Sequence, residues 1–464
     1  MLRKSEHRDV SETLPKNSSA IWLVEWLRLL FLVWNGPEAP RAQLVRIGLI
    51  DFFIVTLAVA FPWSTTATTG LVLAILLMML ITHAPRAMID ELKRPACVLP
   101  IALVGLAVVG TAWASGVPWS DRLHALEKVL KLLWLLPFFL HFQRTSHATS
   151  VFVAFVASNL VLLAFSYLVF LWPEVGAAIG AKESGVPLKN YIDQSQAFAF
   201  IAVVFLGLAA EPLRTRQRGK AIALVAVSAA FFANLAFVNI ARTALLYIPA
   251  MLGVLLVRNA RGWLSLFLFA GICILTAWLL AMSPNLQSKV SRLLKETDAF
   301  QANAITVDGY PAGGAERLEF WRKSIDFVRS APIFGHGTGS TKGLFSAEAA
   351  GKTGIMAKVV DNPHNQTLAV TIQWGAVGCI LLYAIWGVHL WLFRDGLEVS
   401  SVSPFAWIGL VAVVQNIVSS LVNSHLFDFY QGWLYLLAVG IAGGQLQREK
   451  LDTEHRELQT PDAQ

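Results

Sequence analysis

Three side chains have the types and positions to do anion and proton chemistry: Arg242, Arg317 and His364. His364 stands in Asp361-Asn362-Pro363-His364-Asn365-Gln366, where a polar stretch runs into an apolar one. Asn362 suits the cap of the helix that follows, and Pro363 its first position. The positive end of that helix dipole would hold the imidazole neutral, as a general base must be. A histidine that only hydrogen-bonds at an interface fits the same spacing. Arg242, in Asn239-Ile240-Ala241-Arg242-Thr243, either meets an anion or snorkels to phospholipid headgroups. Arg317 opens an amphipathic helix near Ala315–Ser330, with Leu318, Trp321, Ile325 and Val328 on one stripe. A guanidinium binds pyrophosphate with paired, permanently charged hydrogen bonds. An Arg317 solvated at a helix end and paired with Glu316 or Glu319 is the plainer alternative. Lys189, Tyr191, Asp193, Gln194 and Gln196 cluster before another apolar run and suit a headgroup or sugar site, or a solvated loop. His336, His425 and Asp428 leave the same choice open.

A membrane must position these groups. Of the 464 residues 56% are hydrophobic and only 14% charged, where a soluble domain carries about a quarter. Apolar runs long enough to cross a hydrocarbon layer, roughly 17–25 residues, recur along the chain. Spans are predicted near 44–62, 67–83, 97–114, 129–142, 150–172, 195–210, 221–238, 242–258, 262–282, 365–393, 404–422 and 430–446. The fold class is therefore an all-α integral membrane protein with about 12 transmembrane helices. Ile21–Trp34, interrupted by Glu25 and Arg28, reads as a helix lying in the interface.

Loop charge gives the orientation. Arg214, Arg216, Arg218 and Lys220 form the strongest basic cluster, and Arg86, Lys93, Arg94, Arg258, Arg261, Arg394, Arg448 and Lys450 fall on its side of the count. Lys and Arg mark the cytoplasmic side, so both termini are expected there. The opposite face receives 173–194, the turn 233–242 and the long segment 283–363. The organisation follows: a tail and interfacial helix at 1–43, spans at 44–282, an outer domain at 283–363, spans at 364–446 and a tail at 447–464. Such a long structured loop is usually functional.

Composition also narrows the chemistry. Cys97, Cys273 and Cys379 lie in expected spans, so no disulfide framework is implied. Met1–Ser19 is too polar for a cleavable signal peptide. The net charge of +7 is explained by loop orientation and calls for no nucleic acid. No Asp-x-Asp on the outer face, His-Glu-x-x-His or P-loop occurs, nor any set with metal-ligand spacing. Arginines, without a metal or cofactor, are thus expected to supply positive charge.

Three motifs together resemble the O-antigen ligase/polymerase superfamily. Asn-Ile-Ala-Arg-Thr-Ala-Leu-Leu at 239–246 resembles its Ser-Arg-Thr-like motif, with Ala241 where Ser is common. Ala-Glu-Arg-Leu-Glu-Phe-Trp at 315–321 and Ala-Pro-Ile-Phe-Gly-His-Gly at 331–337 look like its arginine helix and Pro-x-x-Gly-x-Gly turn. Pro-His-Asn-Gln-Thr-Leu at 363–368 resembles its histidine-asparagine motif, and the likeness spans about 44–446.

The resemblance implies a GT-C-like fold in a bacterial inner membrane, with a periplasmic active site. It implies an undecaprenyl-pyrophosphate-linked glycan as donor and lipid A–core as acceptor, with membrane lipids around the chain. Arg242 and Arg317 would bind pyrophosphate, His364 would be catalytic, and Lys189, Tyr191, Gln194, Trp321 and Asn365 would contact substrate. His364 would take the acceptor proton during an inverting attack. The helix at 315–330 would close over the bilayer edge. An O-antigen polymerase or a protein O-oligosaccharyltransferase shares these motifs; His-Asn at the helix start and one dominant outer loop favour a ligase. A transporter or flippase predicts charges buried in mid-span and two related halves. Asp51 is the main charge inside a span, and no repeat is visible.

Overall fold

Five of the described helices begin at a polar residue whose side chain caps them. Ser64 Oγ accepts from Ala67 N (3.1 Å), and Asn190 Oδ1 accepts from Ile192 N and Asp193 N (both 2.9 Å). Ser283, Asn365 and Ser403 cap three further helices in the same way. Each side chain satisfies an amide that the helix itself leaves unpaired.

The computed structural model describes residues 40–83, 85–181, 183–259, 281–303, 306–307, 310–311, 313–398 and 403–459, with isolated positions between 267 and 278. The interfacial helix expected at Ile21–Trp34 and most of the span expected at 262–282 lie outside the described residues. The principal helices are α1 (Pro40–Ala60), α2 (Thr65–Thr82), α3 (Pro95–Val109), α4 (Trp119–Leu130), α5 (Leu135–Phe142), α6 (Ala148–Leu171), α7 (Tyr191–Leu208), α8 (Arg218–Phe237) and α9 (Ala244–Asn259). The long segment expected at 283–363 supplies α10 (Pro284–Gln301), α11 (Gly313–Ser330) and α12 (Ser340–Ala349). The chain closes with α13 (Gln366–Leu392), α14 (Pro404–Ser420) and α15 (Phe429–Gln459). A two-stranded ribbon, Thr306–Val307 with Tyr310–Pro311, is the departure from helix that the sequence did not lead us to expect.

Among the described residues, α2, α6, α8, α13 and the run Tyr191–Arg214 that begins with α7 are long and apolar enough to cross a membrane. The shorter apolar helices α3, α9 and α14 accompany them. The protein is thus an all-helical, multi-pass membrane protein. One expected span changes character: 129–142 is the end of α4, a 3-10 turn at Lys131–Trp134, and α5. Asp51, the carboxylate in α1, is satisfied by His141 Nε2 (2.8 Å), Thr145 Oγ1 (2.8 Å) and His147 Nδ1 (2.9 Å).

The core centres on α7, which packs against α8, α9, α14 and α15. Phe198, Phe200, Ala197–Val204 and Trp407 are buried there. Small residues let α15 approach α5: a Cβ added at Gly443 would lie 2.3 Å from the Phe139 ring. Close backbone approach is how helices associate where no water drives them together.

The glycine-rich turn at 332–339 has a structural task. α13 is broken at Gly375, whose φ of 58° and ψ of −155° interrupt the helix. The turn lies along the break: His336 N donates to Ile372 O (2.9 Å), Gly337 N to Gln373 O (2.9 Å), and Ala376 N to Pro332 O (2.8 Å). Thr338 N reaches Gly110 O at the end of α3 (3.1 Å), and Trp374 Nε1 donates to Thr338 Oγ1 (2.9 Å). Broken backbone inside a membrane protein persists only where protein satisfies it. Gly375 occupies backbone space that only glycine adopts cheaply, and an added Cβ would meet Ile333 O at 2.2 Å. Gly375→Ala is expected to destabilise by at least ~1–3 kcal/mol, read as a lower Tm in detergent, whereas Gly387→Ala, with open space around it, should leave Tm unchanged.

Candidate active site

Arg242 sits where the turn after α8 enters α9, and the fold supplies it with one anion. Its Nη1 donates to Glu296 Oε2 at 2.5 Å. Glu296 is 2% exposed at its side chain and also accepts from Gly314 N (2.9 Å), with Arg292 Nε 3.6 Å away. One buried carboxylate therefore joins the start of α9, the body of α10 and the first turn of α11. The turn is fixed from below by Ala241 N donating to Ser195 Oγ on α7 (2.9 Å). Asn239 Nδ2 reaches Ser184 O (3.2 Å).

Arg317, one turn into α11, has no hydrogen bond or ion pair among the described residues. Burial, and then Arg242, pull its pKa down; Tyr191, Glu296 and Asp428 lie within electrostatic reach and oppose the fall. A guanidinium stays charged under such pressure, so this is a partly buried cation awaiting an anion. The sequence alternative of a pair with Glu316 or Glu319 does not form. Glu316 pairs with Lys358, and Glu319 takes Arg322 through two bonds of 2.8 and 2.7 Å. Lys289 stands nearby over the Tyr191 ring at 4.9 Å, its pKa lowered by burial.

His364 is held with φ of 53°, in the left-handed region. Three contacts keep it there. His364 N donates to Asn362 Oδ1 (2.9 Å), and Trp321 Nε1 donates to Pro363 O (3.1 Å) and His364 O (3.3 Å). The ring lies stacked beside Phe320, 6.3 Å between centroids. Its tautomer follows from hydrogen-bond logic. Ser424 N, which can only donate, meets Asn423 Oδ1 at 3.0 Å, so that atom is the amide oxygen. His364 Nδ1, 2.8 Å from the same oxygen, must then carry the proton. The neutral ring keeps its lone pair on Nε2, which has no partner among the described residues. Burial lowers the His364 pKa and Arg317 adds to that, against the bond that Nδ1 donates to Asn423. Asn423 Nδ2 in turn donates to His425 Nε2 (3.0 Å), and burial holds His425 down to about 3.

The helix cap differs from the sequence reading. Asn365, not Asn362, is the N-cap of α13: its Oδ1 accepts from Leu368 N (3.0 Å) and its Nδ2 donates to Leu421 O (2.8 Å). A left-handed residue at 364 puts the helix start after Asn365, so Pro363 precedes the helix and Asn362 braces the histidine. Both amide atoms of Asn365 are thereby engaged in the protein.

Other expected site residues divide. Tyr191 lies within reach of Arg317 and Lys289. Trp321 supports the His364 turn through its indole. Lys189 donates to Phe61 O (2.5 Å) and lies 4.7 Å over the Tyr430 ring; burial lowers its pKa to about 8. Gln194 is turned inward, its Nε2 donating to Ser166 Oγ and Gly185 O (both 3.0 Å). His336 closes α11, its Nε2 2.9 Å from Phe327 O. Asp428, its pKa pushed up to about 6 by burial, faces Arg317 and Lys131. Glu296 and Asn423 escaped the sequence reading. A polar run, Ser419-Ser420 and Asn423-Ser424-His425 between two apolar spans, was the available signal for Asn423; Glu296 sits in α10, whose amphipathic pattern was not resolved into a helix.

Fold and site together define a multi-pass membrane protein in which Arg242, Arg317 and His364 gather where the helices of residues 284–349 meet the apolar helices. Residues 227–383 match the family described as O-antigen ligase. That match supports membership of the O-antigen ligase/polymerase superfamily, and it takes in Arg242, Arg317 and His364. No curated protein matches the chain.

The tautomer is open to direct measurement. In ¹⁵N-histidine-labelled protein, His364 is expected to show a protonated Nδ1 and to titrate below the ordinary 6.5. Asn423→Asp keeps the acceptor but adds negative charge, and should raise that pKa by about one unit or more. An Nε2-protonated signal in the wild type would refute the assignment.

Proposed function

We propose that the protein is an O-antigen ligase. It transfers a glycan from undecaprenyl pyrophosphate to a sugar hydroxyl of lipid A–core, at the periplasmic face of a bacterial inner membrane. The reading includes about twelve spans in a GT-C-like arrangement, with both termini in the cytoplasm. It rests chiefly on one observation: an imidazole whose Nδ1 is tied to an amide oxygen, with Nε2 free, beside an arginine that has no anion.

The donor's pyrophosphate lies between Arg317 and Arg242, with Lys289 and Tyr191 at its edge. Arg317 carries most of the binding because Arg242 is shared with Glu296. The acceptor hydroxyl approaches His364 Nε2, which takes its proton as the oxygen attacks the anomeric carbon. The bond to pyrophosphate breaks from the opposite face, so configuration inverts. Charge developing on the leaving group falls on preorganised guanidinium groups, which need no rearrangement at the moment of reaction. Proton transfer leaves an imidazolium, and the neighbouring Arg317 favours its prompt return to the neutral form.

Purified protein, undecaprenyl-pyrophosphate-linked glycan and lipid A–core in EDTA provide the test. Wild type is expected to form lipopolysaccharide. His364→Ala should lower kcat by about 10²–10⁴, and Arg317→Ala by about 10²–10³, with Tm preserved. Arg242→Ala should lose activity and Tm together, since it strands the buried Glu296. Lengthening of the donor glycan with lipid A–core untouched would make the protein a polymerase instead. Transfer that survives His364→Ala would remove the proposed base.

A further inference from the structure

A polar cavity of about 370 Å³ opens against Asn362 and Ser424, which help to hold His364, and neither Arg242 nor Arg317 lines it. Its walls come from α4, the start of α12, residues 359–362, the first turns of α13 and the α14–α15 turn. None of its lining residues belongs to α9, α10 or α11, the elements that carry or hold Arg242 and Arg317. It shares Asn362 and Ser424 with the histidine's own support: Ser424 Oγ donates to Asn362 Oδ1 (2.6 Å), the atom that also receives His364 N. The cavity thus adjoins the support of His364 and shares no lining residue with the elements that carry the arginines.

Its lining is of the kind that holds a sugar. Phe427, Val359 and Val360 give apolar wall, and Gln373, Asn362 and Thr341 give uncharged polar groups. Charges at the rim are balanced in pairs: Lys128 Nζ to Asp361 Oδ2 (2.6 Å) and Lys342 Nζ to Asp121 Oδ1 (3.6 Å), with His124 Nε2 3.3 Å from Asp361. Thr341, 3% exposed, has a buried Oγ1 with no partner in the protein. A buried hydroxyl without a partner costs free energy unless a ligand or water supplies one. The volume falls at the small end of the roughly 300–1,000 Å³ typical of ligand sites.

We propose that this cavity, lined by Thr341, Asn362, Gln373 and Phe427, binds the saccharide of the acceptor and selects which sugar presents its hydroxyl to His364. The proposal rests on the glycosyl-transfer reading. The donor glycan has the same chemistry but departs from pyrophosphate held on the arginine side. In-line attack brings the acceptor from the face opposite that pyrophosphate, and the cavity, which borders the histidine's support and is lined by neither arginine, is the pocket that fits it.

Two variants probe it. Ala125→Trp fills the cavity from the partly exposed face of α4, and Thr341→Val removes one hydroxyl at constant shape. Initial rates are measured against lipid A–core and against the lipid-linked donor in turn. Ala125→Trp is expected to raise KM for lipid A–core about tenfold or more while KM for the donor stays within about twofold. Thr341→Val should raise the acceptor KM about two- to tenfold. A rise confined to the donor KM would overturn the assignment, as would no change in either. Saturation-transfer NMR with delipidated core oligosaccharide, using the full-length protein in detergent, reads the cavity independently of turnover. Binding by wild type that Ala125→Trp abolishes supports the pocket even if no ligation is found; no binding by wild type overturns it.

Discussion

A buried carboxylate, Glu296, ties α10 and α11 to the turn that opens α9. Charge at the edge of an apolar environment is costly unless paired. Here one carboxylate meets Arg242 at 2.5 Å, an amide of α11 at 2.9 Å, and Arg292 at 3.6 Å. It therefore fixes α10 and α11 against the turn that opens α9. Arg317 rides on α11, so its position follows from this arrangement. Its charge does not get neutralised by it. The site is built with one satisfied cation and one that has no hydrogen bond or ion pair among the described residues, and in the proposed function it is the second that attracts the pyrophosphate.

The histidine is organised on a different principle. Its left-handed backbone, the indole of Trp321 and the amide of Asn362 set the ring's place, while Asn423 sets which nitrogen is bare. A neutral amide partner leaves the imidazole less basic than a carboxylate would. Burial and Arg317 lower it further. The result is an imidazole that favours the neutral form, with its Nε2 lone pair unshared among the described residues. Under the proposed transfer, whose leaving group is already good, such a group would serve chiefly to orient and accept the proton.

Much of this was legible in the sequence, and the misses have physical causes. Long apolar runs announce helices because each must satisfy its own backbone in lipid, so α6, α8 and α13 emerged near their true bounds. Arg242, Arg317 and His364 stood out by charge or chemistry at an apolar border. What could not be read was whether each charge had a partner. Arg317 resembled a helix-end ion pair until Lys358 and Arg322 were seen to take the nearby glutamates. Gln194 and Asn365, expected as substrate contacts, also hold up the protein's own walls through hydrogen bonds that no sequence pattern shows. The cap was misplaced by three residues because a left-handed histidine is not visible in a pattern. The Gly335–Gly339 turn gave its residues plainly but not its partner, a break in α13 some forty residues on.

The bond between His364 and Asn423 also sets an order of assembly. Chain synthesis delivers Arg242 first, then Glu296 and Arg317, then His364, and only afterwards the turn between α14 and α15 that bears Asn423. A nascent chain stopped before that last hairpin holds both guanidinium groups and the imidazole, yet lacks the amide oxygen that selects its tautomer. The turn between α14 and α15 is thus the part of the histidine's support that is made after all the rest, and the ring's tautomer is fixed only once that turn has folded back onto it.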